Sequence, residues 1–117
     1  MQYLLLIYNS PENMAASRGD TKLMQEYGDF TRSIIASGNY KGGNPLQPVT
    51  TATSVRVRDG KTLLTDGPFA ETAEHLGGYY LVEAANLDEA TGIAARIPGA
   101  RNGTIEVRPI MSIPSPA

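Results

Sequence analysis

The sequence predicts an α+β domain in which two helices cover one face of an antiparallel sheet, and three observations predict it. The first is a strand, residues 2–8, that is apolar on both of its alternating faces and is therefore expected to be covered on both. The second is a pair of amphipathic helical stretches, one following that strand and one preceding the last strand. The third is a central hairpin signal, Asp59-Gly60, set between S-V-R-V-R and K-T-L-L-T.

In the first strand Tyr3, Leu5 and Ile7 share one side and Leu4, Leu6 and Tyr8 the other. The segment from Ser10 to Gly19 reads as a loop. A helix follows, with Leu23, Tyr27, Phe30 and Ile34 at helical spacing and Met24 and Ile35 widening the stripe. Asp20 is its expected N-cap and Gly38 its stop, and Gly28 inside it suggests close packing. Residues 39–52 mix strand formers with Gly and Pro, which suits an irregular or edge strand followed by a loop. In the hairpin, a type I′ register places Val55 and Val57 with Thr62 and Leu64, and Arg56, Arg58, Lys61 and Leu63 on the reverse. G-G-Y-Y-L-V-E-A is a strand. Asn86 and Glu89 then have capping-box spacing for a second helix, whose stripe is Leu87, Ala90, Ile93, Ala94 and Ile97 and whose end is Pro98-Gly99. Thr104 to Ile110 alternates as a last strand, and residues 112–117 are expected to form a mobile tail.

The resulting order, β-α-β-β-α-β with an inserted hairpin, is the ferredoxin-like plan. One helical layer leaves the other sheet face bare. Either Leu4 and Leu6 or Leu5 and Ile7 must point there, so a second copy is expected to close it and form a dimeric α/β barrel.

A chain of 117 residues makes a single domain, and one of this size hides roughly two thirds of its unfolded surface. Ten Lys and Arg against twelve Asp and Glu leave no cationic field for nucleic acid. The absence of cysteine excludes disulfides, Cys-based zinc sites and a thiol nucleophile. The N-terminal apolar run lacks a basic flank and a cleavage site, and no stretch reaches the length of a membrane span. A cytoplasmic location, no cofactor and no metal site are the corresponding expectations. Gly77-Gly78 precedes a strand, not a helix, which rules out a dinucleotide loop.

The runs L-L-I-Y, T-D-G-P-F-A-E-T, L-G-G-Y-Y-L-V-E and I-E-V-R-P-I-M together resemble the YCII-related family, in its DGPF subgroup, over nearly the whole chain. The resemblance implies dimeric barrels of ferredoxin-like subunits, no settled activity, and an association of some relatives with extracytoplasmic-function sigma factors. It also implies two departures. A His and an Asp suspected of acid/base work in smaller relatives correspond to Tyr27 and Ile97, and the His of an A-R-H-G run corresponds to Asn102.

Candidate site residues gather around the D-G-P-F corner. Asp66 is either a turn residue, accepting backbone N–H groups two or three positions on, or a general base aimed into a cleft, with Glu71 or Glu74 as a second carboxylate. Phe69 is either a buried plug or a stacking platform. His75 would stand one helical turn after Glu71, where a carboxylate would orient its ring, or is an exposed lone histidine. Tyr8 and Arg108, on the first and last strands, offer a hydroxyl and a forked donor to a ligand, or else Arg108 pairs with Glu106 or Glu83. Two functions follow as expectations: a dimeric protein binding a small polar molecule beside Asp66, with acid/base activity, or a non-catalytic partner of a sigma factor.

Overall fold

A computed structural model describes residues 1–70 and 72–115; Glu71, Pro116 and Ala117 lie outside it. The apolar first strand, β1 (Gln2–Asn9), sits inside a four-stranded antiparallel sheet of order β2-β5-β1-β6, where β2 is Tyr40–Pro45, β5 His75–Glu83 and β6 Thr104–Pro109. Both of its edges are hydrogen-bonded, to β5 from Gln2 to Asn9 and to β6 from Tyr3 to Tyr8. β2 is an edge strand, with an irregularity between Tyr40 and Gly42, as its Gly and Pro content suggested.

Two helices, α2 (Thr21–Ala36) and α3 (Leu87–Ala95), cover one face. Both begin at the expected caps: the side chains of Asp20 and Asn86 accept from the backbone N–H groups of Leu23 and Glu89 at 3.1 and 2.9 Å. The capping box is half made, because the Glu89 carboxylate accepts from the Asn39 amide at 2.9 Å. Gly38 ends α2 with φ of 80°. Phe30 and Ile34 from α2 and Ala90, Ile93 and Ala94 from α3 meet Tyr3, Leu5 and Val82 of the sheet in one core, with Ile97 alongside. The Phe30 ring stands edge-on to Tyr80 at 5.1 Å between centroids, and the Tyr80 hydroxyl shares a 2.8 Å hydrogen bond with that of Thr31.

Three local expectations are corrected. The segment after β1 contains a short helix, α1 (Pro11–Ser17), started by Ser10, whose hydroxyl accepts from the Asn13 N–H, and by Pro11. It buries no residue, so no apolar period announced it. Met24 and Ile35 do not widen the core stripe of α2: they are exposed, since the flat sheet reaches only a narrow arc of the helix. Leu87 of the α3 stripe is likewise exposed.

Gly28 packs against no neighbouring element. A Cβ there would meet only the tip of the Arg32 side chain, at 3.3 Å. Gly28→Ala is therefore expected to raise stability by about 0.5–1 kcal/mol through lower unfolded-state entropy, measured by urea denaturation.

The hairpin forms as its turn dictates. Asp59 and Gly60 have φ of 51° and 74°, and β3 (Thr53–Arg58) pairs β4 (Lys61–Asp66) in the register Val55↔Leu64, Val57↔Thr62, Arg58↔Lys61. It is a sheet of its own, unpaired with the other four strands, and all of β4 is exposed.

Candidate functional site

Burial decides which side of β1 faces the helices. Tyr3 and Leu5 are buried there, so Leu4, Leu6 and Tyr8 face the uncovered side of the sheet. Register places Leu76, Tyr79 and Leu81 of β5 and Thr104, Glu106 and Arg108 of β6 on that same side, because directly paired residues share a face. The open face is thus an apolar floor with polar groups at its margins. At one end stand Tyr8 and Thr104, directly paired, and the Thr104 hydroxyl donates to Glu74 Oε1 at 2.9 Å. On the β2 side Asn44 donates to the Tyr79 hydroxyl at 3.0 Å. Arg108 pairs Leu4, four strand residues or about 13 Å along β1 from Tyr8.

Behind Tyr8, on the helix side, the strand ends in an amide cluster. Asn9 donates to the Asn102 side-chain oxygen at 3.0 Å and accepts from Asn13 at 2.9 Å and from the Ser10 N–H at 2.8 Å. His75 pairs Asn9 across the ladder and is half-buried. The turn carrying Asn102 is pressed onto the strand: a Cβ on Gly103 would lie 2.3 Å from the Tyr8 carbonyl oxygen and 3.0 Å from that of Gly99.

Of the residues singled out from sequence, Tyr8 and Arg108 share the open face at opposite ends. Among the described residues Arg108 forms no ion pair; the expected partner Glu83 binds the N-terminal ammonium at 2.5 Å, which holds its carboxyl below the usual range. Asp66 closes β4, exposed, opposite Thr53. Among the described residues its carboxylate accepts none of the backbone N–H groups that the turn reading required. The corner is held by the Gly67 N–H donating to Ala52 O at 2.7 Å and the Ser54 hydroxyl donating to Gly67 O at 2.8 Å, because Pro68 has no N–H to offer and Gly67, at φ of 104°, turns the chain away. Phe69 is no buried plug: it is 74% exposed, with the Arg56 guanidinium 4.7 Å above its ring. Glu71, which was to stand one turn before His75, lies outside the described residues; residues 72–74 are irregular and His75 opens a strand. Asn9 and Asn13 were missed, although N-S-P after an apolar strand is a helix-start signal that would have drawn attention to Asn9, and Asn102 was marked only as the place of a lost His.

Tyr27 and Ile97 come close together in the fold, as core. Ile97 is buried, and the Tyr27 hydroxyl accepts from the Gly99 N–H at 3.2 Å. Burial raises the pKa of Tyr27 above the ordinary phenol value, and that of Tyr80 likewise. Neither exchanges protons near neutral pH. A phenol whose folded-state pKa is raised leaves stability intact below pH ~10 and costs it as pH rises from there through the folded value. Tyr27→Phe is expected to lose about 1 kcal/mol at pH 7, from the unpaired Gly99 N–H, and to show a shallower stability loss above pH ~10 in denaturant titrations.

A surface cleft of about 370 Å³ lies between α2 and the turn Pro98–Arg101. Two carboxylates at this cleft are satisfied, Glu26 by Arg101 at 2.6 Å and Asp29 by Arg32. The first pairing holds the Glu26 carboxyl below its usual range.

A helix-backed antiparallel sheet with strand order β2-β5-β1-β6 and polar groups gathered at the end of its central strand defines a protein of the ferredoxin-like α+β class. The chain belongs to the YCII-related family, whose domain matches residues 1–114. It is 36% identical over 114 residues to an uncharacterised protein of Rhizobium meliloti (strain 1021), covering 94% of this chain and 92% of that one. Among solved structures it resembles 5-chloro-2-hydroxyhydroquinone dehydrochlorinase of Burkholderia phenoliruptrix AC1100, in complex with 2,5-dihydroxybenzoquinone. That likeness has a TM-score of 0.58 and 15% identity over 95% of this chain and 94% of the other, a likeness of fold.

Proposed function

We propose that two copies of this chain pair through their open sheet faces and that a small polar molecule binds between them, at the Tyr8 end of the apolar floor. The observation that carries the reading is the grouping of Tyr8, Thr104 and Glu74 on the margin of an otherwise greasy face. The Thr104 hydroxyl fixes one oxygen of Glu74, so that the other is presented to a ligand; the Tyr8 hydroxyl and the Glu74 carboxylate then supply a donor and a base within one strand end. Arg108 anchors an anionic group toward the other end. Asp66 and Phe69 reach this site only from the hairpin, and His75 acts from behind it beside Asn9.

The dehydrochlorinase was solved with a hydroxylated quinone, which supports small hydroxylated rings as the first probes, ahead of small acids and phosphates. Thermal-shift measurement against these compounds is the test, since a ligand that binds only the folded form raises the melting temperature. The shift produced by a hit is expected to vanish in Tyr8→Phe and Glu74→Gln. A hit whose shift survives both substitutions places the ligand elsewhere.

A further inference from the structure

We infer that the β3-β4 hairpin is an arm that clasps the second copy of the chain, so that the D-G-P-F corner at its base is completed only in the pair. This rests on the pairing proposed above and adds a second contact to it. The arm stands off its own subunit. All of β4 and every residue of β3 except Ser54 are exposed, and neither strand joins the main sheet. Its register sorts the side chains into two unlike faces. Val55, Val57, Thr62 and Leu64 form an apolar one, with Val55, Val57 and Leu64 at 61%, 59% and 68% exposure. Arg56, Arg58 and Lys61, with Leu63 opposite Arg56, form a mainly basic one. An uncovered apolar hairpin of this length is a hazard that folded proteins do not leave open.

Surface area and radius of gyration measure the missing cover. The chain exposes 8144 Å², whereas a folded monomer of this mass exposes about 6,200 Å². Its radius of gyration is 16.3 Å against about 13 Å for a compact domain of this length. An excess of about 1,900 Å² per chain is more than the roughly 800 Å² a partner contributes to a standard interface and falls in the range of obligate homodimers. Charge points to the same occupant. Residues 53–66 hold three of the chain's ten Lys and Arg but two of its twelve Asp and Glu, so a cationic arm faces an acidic body, and a second copy presents that body. Ordering of the arm against it fixes Asp66 and Phe69, which the subunit by itself leaves in solvent.

The test is sedimentation equilibrium of the full chain and two variants. Val55→Lys/Leu64→Glu exchanges a directly opposed apolar pair for an ion pair, which keeps the hairpin paired while removing its apolar ridge. Leu6→Glu places a charge on the open face. The wild type is expected to be dimeric at micromolar concentration, with the arm variant dissociating at least roughly 30-fold more readily, the change that accompanies loss of a buried anchor. Dimers unaffected by the arm variant but dispersed by Leu6→Glu overturn the arm and leave the sheet pairing standing. A monomeric wild type, or one that associates only with a different protein, overturns both. A variant that fails to fold is bypassed by a nitroxide on Lys61→Cys, a unique site in a chain without cysteine. Its motion is expected to slow when dilute monomers pair, and unchanged motion overturns the arm.

Discussion

Gly103→Ala is expected to cost about 3 kcal/mol or more, enough to remove much of the stability of a domain this size. The reason is steric and local. The added methyl would sit 2.3 Å from the carbonyl oxygen of Tyr8 and 3.0 Å from both Asn9 Cγ and the Gly99 carbonyl oxygen. Overlap with a flexible side chain would be relieved by a rotamer change, but two of these atoms are backbone. One of them belongs to β1, whose ladders to β5 and β6 leave it no direction in which to retreat. The strain would fall on Tyr8, Asn9 and Asn102, so the thermal shift proposed for a ligand at Tyr8 is expected to be lost even in the surviving folded fraction. Urea denaturation followed by circular dichroism measures the first effect; a loss under 1 kcal/mol would show that the turn does not press on β1 as described.

Leu5→Ala is expected to destabilise by about 3–4 kcal/mol, a fall in melting temperature of roughly 10–20 °C. Leu5 is 0% exposed, at the centre of the middle strand and inside the core that includes Phe30, Ile34 and Val82. The helices and both flanking strands border the space its side chain would vacate, so the cavity cannot collapse. Leu4, its neighbour on the opposite face, is only half-buried in the single chain. Leu4→Ala should cost clearly less when measured on the dilute monomer, and comparison of the two variants tests the sidedness of β1. Equal losses would contradict it.

Elements with a local cause were legible. The turn Asp59-Gly60 needs two positive φ values, a demand met at adjacent positions, and it set the whole register of β3 and β4 without reference to the rest of the fold. The caps Asp20 and Asn86 and the stop at Gly38 are likewise interactions within a few residues. Helix α1 escaped notice because it buries nothing, and hydrophobic period is blind to a helix held by its cap.

The candidate site was less legible, since its parts are distant in sequence. The bond between Asn9 and Asn102 spans 93 residues and that between Glu74 and Thr104 spans 30. The D-G-P-F run drew attention by its composition, yet its corner is closed by main-chain and Ser54 contacts, and Asp66 and Phe69 remain in solvent.

Sequence by itself determined the strands and the two covering helices, the ferredoxin-like order and the existence of a strand greasy on both sides, because propensity, capping and turn chemistry act over a few residues. Only the tertiary structure decided that Leu5 looks inward and Leu4 outward, that Tyr8, Thr104 and Glu74 share a margin, and that the hairpin stands free. These are contacts between segments far apart in the chain, and alternation along one strand is symmetric until a helix covers one of its sides.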